Sequence, residues 1–569
     1  MTEASATVLV AAPIIKPKLG RDDWIMRTTM IVIGALLVVF ILLPLYMMLS
    51  KSTEDSHGAF VGLANFIEYF SNPVLFLSIY NSLAVSLLST LIVIVTAFIY
   101  GYALTRSCIP FKSVFKLISI IPLLTPSLLG GISLVYWFGK QGVANALLMG
   151  ESIYGPIGIV IGSSYWVFPH VLIIVVTALS ITDARLYEAA IALRTSTIKM
   201  FFTITLPGCK YGLISAGFVA FTLIFTDFGV PKVIGGNYNM LATDIYKQVI
   251  GQQNFEMGAV VSVILLIPAI LAFAVDRKVQ KKQVALLSAR AVPYQPKPER
   301  VRDISLLVFC CVVGAFILAM IGMAQYAALV KFWPYNLSLS LANFNFDVMD
   351  GGGWEAYWNS IRLASYTALF GTGIIFFGAY LVEKGRGFNA GRVGFHMLAM
   401  TPLAVPGMVL GLSYIFFFNM PSNPLNFLYG SMGILVICTV VHFYTVSHLT
   451  AITALKQMDA EFESVSSSLK APFYKTFARV TVPVCLPAIF DISIYLFLNA
   501  MTTVSAVIFL YSADTTLASV AVLNMDDAGD IAPAAAMAMM IAYTCGAARL
   551  VHSLLTRGLN RSTQAWRTR

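Results

Sequence analysis

Charged side chains are scarce in this chain. Only 11% of its 569 residues are Asp, Glu, Lys or Arg, where a soluble domain carries about 25%. With 58% hydrophobic residues and a mean hydropathy of +0.81, that scarcity excludes an ordinary water-soluble protein. The six histidines and seven cysteines are scattered; no CxxC pair exists, and the adjacent Cys310-Cys311 sits inside an apolar run. Neither a disulfide framework nor a metal site is expected. The phosphate loop G-x-x-x-x-G-K-S/T is missing, so ATP hydrolysis is not expected of this chain. On one face no loop exceeds about thirty residues, too few for a further domain of usual size.

The net charge of +10 does not point to nucleic acid. Its basic residues flank apolar segments instead of interleaving with aromatics on one surface. Residues 1–27 do not read as a signal peptide, because the apolar stretch Val8 to Ile15 precedes Lys16, Lys18 and Arg21. They read as a cytoplasmic N-terminal tail.

Long apolar runs dominate the rest. Twelve segments reach the roughly 20 residues that a bilayer needs. In the first half they are Thr28–Leu49, Asn81–Leu104, Val114–Phe138, Pro156–Leu179, Tyr211–Val230 and Met257–Val275. In the second they are Ile304–Ala328, Asn359–Leu381, Val393–Phe418, Met432–Ala451, Pro487–Leu510 and Pro533–Leu555. The domains follow: 28–276 and 304–556 as two transmembrane halves, a basic linker 277–303, and a C-terminal tail 557–569. The fold class is all-α and polytopic.

Lys and Arg in short loops set the orientation. Arg106, Lys112 and Lys116 follow span 2; Lys384, Arg386 and Arg392 follow span 8; the linker and the tail after span 12 add more. All fall on one face, expected to be cytoplasmic with both termini. The other face holds Glu54, Asp55, Asp347, Asp350, Asp526, Asp527 and Asp530.

The halves repeat. Residues 183–207 read DARLYEAAIALRTSTIKMFFTITLP and residues 459–483 read DAEFESVSSSLKAPFYKTFARVTVP. A shift of 276 carries Asp183-Ala184 to Asp459-Ala460, Phe201 to Phe477 and Pro207 to Pro483. Spans 3 and 9 also pair, Pro122 with Pro402, Pro126 with Pro406, Gly131 with Gly411 and Ser133 with Ser413. Six spans per half is an even number, so the repeats are parallel, and a pathway is expected between them.

Here the chain resembles a known family. Glu188-Ala189-Ala190 followed by Leu206-Pro207 is similar to the E-A-A-x-x-x-G…L-P loop in permease subunits of bacterial ABC importers. In the second half Glu463-Ser464 and Val482-Pro483 stand in. Arg194 and Lys470 occupy the Gly slot, where Gly would adopt φ > 0 cheaply. The resemblance runs from about Asp22 to the end. The fused layout, the basic linker and the runs TDFGVPKVIGG (Thr226 to Gly236) and GISLVYWFGKQG (Gly131 to Gly142) resemble the iron(III)/2-aminoethylphosphonate class, most closely its 2-aminoethylphosphonate permeases.

The resemblance implies a type I importer permease fold in a bacterial inner membrane, without catalytic or metal residues of its own. It implies two ATP-binding subunits, with ATP and Mg, docked on these loops, and an extracytoplasmic solute-binding protein. Glu188, Ala189, Ala190, Arg194, Phe201, Pro207, Glu463, Ser464, Lys470, Phe477 and Pro483 would form the coupling loops. The segment has features suited to coupling. A short helix with small residues permits close approach, the phenylalanines offer an apolar anchor, and the prolines can open the next helix. An interfacial amphipathic helix is the plainer alternative.

Polar or broken positions inside spans are candidates for the pathway. They are Asp227, with Thr503 at its repeat position, and Gly131, Ser133, Gly411 and Ser413 on kinked spans 3 and 9. Asp227 could meet a cation or amino group, or simply end a helix; the glycines could serve a gate or tight packing. Asp491, His170 and His442 read as interfacial or helix-to-helix contacts. The solute expected is 2-aminoethylphosphonate, with ferric ion as the alternative. An ion-coupled secondary transporter predicts buried ionisable pairs, and a membrane enzyme predicts a catalytic cluster; neither pattern is present.

Overall fold

The computed structural model describes residues 20–286, 292, 294–385, 387–459 and 461–563. A bilayer leaves no water for exposed peptide groups, so an apolar chain satisfies them within helices. Helices accordingly dominate, and the described strands are the short pair Val330–Phe332 and Asn336–Leu339, with Val330 opposite Leu339. Among the described residues, eight helices are long and apolar enough to cross: Arg21–Lys51, Pro73–Arg106, Pro156–Ser180, Thr197–Phe225, Phe255–Gln280, Arg300–Leu329, Gly353–Lys384 and Ile531–Gly558. They are spans 1, 2, 4, 5, 6, 7, 8 and 12. Four bent pairs complete the set: span 3 (Lys112–Leu124 with Ser127–Phe138), span 9 (Asn389–Ala404 with Gly407–Phe418), span 10 (Met432–His442 with Tyr444–Lys456) and span 11 (Phe473–Val484 with Leu486–Thr502).

Spans 3 and 9 turn by 102° and 110°, far more than a kink. In each, two prolines four residues apart do this. Pro122 and Pro402 open a 3-10 turn, and the residue before Pro126 or Pro406 is extended, as the clash with the proline ring requires. The single long runs expected from the sequence are therefore each two shorter helices. Other boundaries shift as well. Span 5 starts at Thr197, not Tyr211, and ends at Phe225. Span 11 ends at Thr502, because Thr503 is extended.

Helix also continues into the segments read as linker and tails. The span 6 helix runs on to Leu286, and the span 7 helix begins at Arg300. Helix begins at Arg21 within the N-terminal tail and persists to Thr563 in the C-terminal one. Residues 1–19, Arg290, Arg386, Arg567 and Arg569 lie outside the described residues.

The two halves exchange their first spans. Span 1 packs on spans 8 and 9 of the other half, and span 7 packs on spans 2 and 3. Tyr414 of span 9 donates its hydroxyl to the Phe40 carbonyl at 2.8 Å, within a π-helical turn of span 1, and Phe40 stacks on Phe418. In the mirrored contact, Trp137 of span 3 donates to the Ala319 carbonyl of span 7 at 3.0 Å. Spans 1 and 7 have the least buried apolar windows, 28% and 22%, which puts them on the lipid-facing periphery. Spans 6 and 12 then close the interface, span 6 on span 9 and span 12 on span 3.

This brace predicts a measurable cost. Tyr414→Phe leaves the ring in its buried slot and removes only the bond to Phe40. Thermal unfolding in nanodiscs should show a loss of about 1 kcal/mol, the worth of one buried hydrogen bond.

Candidate functional site

Two loop helices lie on the basic face, Ala184–Ala192 between spans 4 and 5 and Glu461–Ser468 between spans 10 and 11. Asp183 caps the first, its carboxylate accepting from the Arg185 N–H at 3.1 Å; Asp459 accepts from the Glu461 N–H at 3.0 Å. Each helix ends in a left-handed residue. Arg194 has φ 54° and Lys470 φ 51°, so both Gly slots keep the glycine conformation without glycine. Around Arg194 the Thr195 N–H donates to the Ala190 carbonyl and the Arg194 N–H to the Ile191 carbonyl, both at 2.9 Å. That pair of bonds is a Schellman cap, and the Ala471 N–H repeats its outer bond to Ser466 at 3.0 Å.

The helix surfaces divide cleanly. Ala184, Tyr187 and Ala190 face inward and are buried, whereas Glu188 and Ala189 are exposed. Outward too are Leu193, 80% exposed, and its repeat partner Leu469, 75%. Ile198 (74%) and its partner Tyr474 (55%), on the helices that follow, are exposed as well. The glutamates are not equivalent, however. The shift that carries Arg194 to Lys470 carries Tyr187, not Glu188, to Glu463, while Glu188 corresponds to exposed Ser464. Glu463 turns inward and pairs with Lys384.

Phe201 and Phe477 anchor each loop to its own half. Phe201 packs edge-on against Phe98 and Tyr102 of span 2, and Phe477 against Phe377 and Tyr380 of span 8. Pro207 and Pro483 do not begin helices, as the sequence led us to expect. The helix already runs from Thr197 or Phe473, and a π turn, Phe201–Thr205 or Phe477–Thr481, precedes each proline. Leu206 and Val482 donate five residues back, to Phe201 and Phe477. The wider turn absorbs the ring that would otherwise strike an α-helical carbonyl.

In the interior, Asp227 is buried and caps the short helix Gly229–Ile234, accepting from the Gly229 and Val230 N–H groups at 3.2 Å. Its repeat partner Thr503 offers its carbonyl to the Ser519 hydroxyl. Ser133 and Ser413 donate to carbonyls four residues back, Leu129 and Val409. A Cβ on Gly131 would lie 2.8 Å from Val233 Cβ, and one on Gly411 2.8 Å from the Ala506 carbonyl. Both glycines thus allow the segments after spans 5 and 11 to press on spans 3 and 9. Asp491 pairs with His552 at 3.1 Å. Among the described residues no three His, Cys, Asp or Glu side chains gather as a metal site would require.

Sequence reasoning missed the clips that hold these segments. Asn81 donates to the Asn239 carbonyl at 3.0 Å, and the adjacent Ser82 hydroxyl accepts from the Leu241 N–H at 2.9 Å. In the second half Asn359 donates to the Asp514 and Thr516 carbonyls, and Ser360 accepts from the Ala518 N–H at 2.8 Å. The signal was present: an Asn-Ser pair opens both span 2 and span 8. Also missed was a link between halves on the acidic face. Lys232 of the Gly229–Ile234 helix pairs with Asp527 at 2.8 Å, on helix Ala518–Ala528. Burial pushes neighbouring Asp526 up to about 7, Asp527 adds to the rise and Lys232 opposes it.

Comparison with known proteins agrees with this architecture. Residues 94–283 match the family of binding-protein-dependent transport system inner membrane components. A ferric transport system permease protein of Actinobacillus pleuropneumoniae is 29% identical, over 77% of this chain and 65% of its own length. This chain therefore spans just under two thirds of that relative. An Fe(3+)-transport system permease protein of Haemophilus influenzae is 23% identical over 90% of this chain and 96% of its own. A spermidine/putrescine transport system permease protein of the same organism is 24% identical; 93% of it covers only 44% of this chain. One such permease thus has about the length of one half, and the fold of this chain is all-α and polytopic, consistent with that of a type I permease.

Two outcomes follow from the site. Arg194→Gly and Lys470→Gly relieve a left-handed conformation that costs a side chain about 1–2 kcal/mol, less the roughly 0.5–1 kcal/mol of extra chain entropy that Gly loses. Each should leave thermal stability level or raise it by up to about 1 kcal/mol, whereas Arg194→Val should lower it. Asp526 ionises near 3.8 when unfolded and near 7 when folded. Between those values the folded protein holds a proton that the unfolded chain has released, so stability falls as pH rises and levels off above about 7. Melting temperatures at pH 5 and 8 should converge in Asp526→Asn.

Proposed function

We propose that this chain is the membrane-spanning permease subunit of an ATP-driven importer. One observation carries the reading: two repeat-related loops on one face, each leaving a leucine and a second apolar side chain exposed. Apolar groups so exposed outside a bilayer favour a partner that covers them, and two copies favour a pair of like partners. ATP-binding subunits carrying ATP and Mg would seat there and supply the hydrolysis. The basic loops favour the cytoplasm for that face and for both termini, and the similarity to inner membrane components of bacterial transport systems favours a bacterial inner membrane.

The acidic face would receive a solute-binding protein. Lys232 and Asp527 tie the halves together on that side, which supports a resting state closed there. ATP binding would favour the arrangement in which that tie opens, a rocking of one half against the other. For the solute, the names of the relatives favour ferric ion, and that is the reading carried here. The runs Thr226 to Gly236 and Gly131 to Gly142 keep 2-aminoethylphosphonate as the second.

Leu193→Asp and Leu469→Asp should each weaken binding of the ATPase subunit to the nanodisc-embedded permease tenfold or more, as loss of an interface anchor does. ATPase activity of the assembled complex should rise with a binding protein loaded with ferric ion, and Glu188→Arg should abolish that rise. Stimulation by the phosphonate alone would change the solute and keep the architecture. Failure of any ATPase subunit to associate would defeat the reading.

A further inference from the structure

The end of span 2 and the end of span 8 each send a cation to the adjoining loop helix, at repeat-related positions but by different chemistry. In the first half the cation is Arg106, 3% exposed, whose guanidinium donates to the Leu179 carbonyl at 2.5 Å at the end of span 4. It lies 5.0 Å from the ring of Tyr187, on the inward stripe of the loop helix, and 4.5 Å from Tyr294 of the linker. The two tyrosine rings are 4.6 Å apart, and the Tyr187 hydroxyl meets Thr205 Oγ1 of span 5 at 2.8 Å. The linker adds a strap, Val292 accepting from the Ala184 N–H at 2.9 Å and donating to the Asp183 carboxylate at 3.3 Å.

In the second half Lys384, the last residue of span 8, pairs with Glu463, the residue that the repeat equates with Tyr187. Ser466 bonds Thr476 of the following helix, as Tyr187 bonds Thr205. The strap here comes from the N-terminal helix, with the Asp22 carboxylate accepting from the Phe473 N–H at 2.8 Å. Cation and partner have thus changed together across the repeat, from Arg over tyrosine to Lys with glutamate. The geometry of a link from span end to loop helix is kept.

We propose that Arg106 and Lys384 are the positioning residues of coupling, struts that carry movement of each loop helix into span 2 and span 8. The inference rests on the importer reading above. A buried guanidinium against aromatic faces resists salt, whereas the Lys384–Glu463 pair, with Glu463 31% exposed, is open to screening. The two struts therefore differ in salt response, and the second loop helix loosens first as ionic strength rises.

Amide hydrogen exchange of the full chain in nanodiscs tests the strut without any ATPase. Arg106→Gln should speed exchange at least tenfold in residues 184–192 alone, and Lys384→Met in 461–468 alone. The double exchange Lys384→Glu with Glu463→Lys should restore protection, and 0.5 M salt should loosen only 461–468 in the unaltered chain. In the assembled importer, the single variants should lower solute moved per ATP several-fold, and the double exchange should recover it. Unchanged exchange in both single variants would overturn the proposal. Faster exchange with an unchanged transport ratio would also overturn it, making these contacts local supports only. Should no ATPase subunit bind the unaltered chain, the importer reading would fall while the exchange results still decided whether the struts hold the loop helices.

Discussion

Inside a hydrocarbon layer, a peptide group that leaves its helix finds no water, so every break in a span must be matched by a partner held in place. This structure breaks its spans often, and several of the breaks have a visible accommodation. At spans 3 and 9 the proline pairs turn the chain through a 3-10 turn. After spans 5 and 11, Asp227, Ser82 and Ser360 take up helix-terminal N–H groups, while Asn81 and Asn359 hold the connecting carbonyls. Before Pro207 and Pro483 a π turn shifts the bonding by one residue. Gly131 and Gly411 then let the broken segments press against spans 3 and 9. Asp227, Ser133 and Ser413 each bond to backbone groups of this frame.

The exchange of spans 1 and 7 ties the halves into one body. Each half is gripped from outside by a helix belonging to the other, through Tyr414 to Phe40 and Trp137 to Ala319. Motion between halves must then pass through a few linked elements, not a free hinge. On the acidic face that element is the Lys232–Asp527 pair; on the basic face it is the loop helices with Arg106 and Lys384 behind them. The halves share geometry without sharing chemistry, so the two loops have equal positions and unequal bracing.

Much of this was legible in the sequence because hydropathy and repetition survive without coordinates. The 276-residue shift placed the loop helices and their phenylalanine anchors in register, whereas Arg194 and Lys470 in the Gly slots spoke against the left-handed ends that the structure has. Pro122, Pro126, Pro402 and Pro406 marked the broken spans, but a proline reports that a helix breaks, not that it turns by more than 100°. Span exchange was invisible because hydropathy carries no information on which helix faces which. The equivalence of Glu188 and Glu463 misled, since matching residue type displaced the register by one; the structure restored it through Tyr187. Arg106 looked like any basic loop residue, and only the placement of Tyr187 and Tyr294 gives it a role.

The central claim is that two repeat-related loop helices on one chain receive two partners. Native mass spectrometry of the complex released from membranes measures this most directly. The account predicts two ATP-binding chains for each copy of this chain. A single ATP-binding chain, or none, would contradict it.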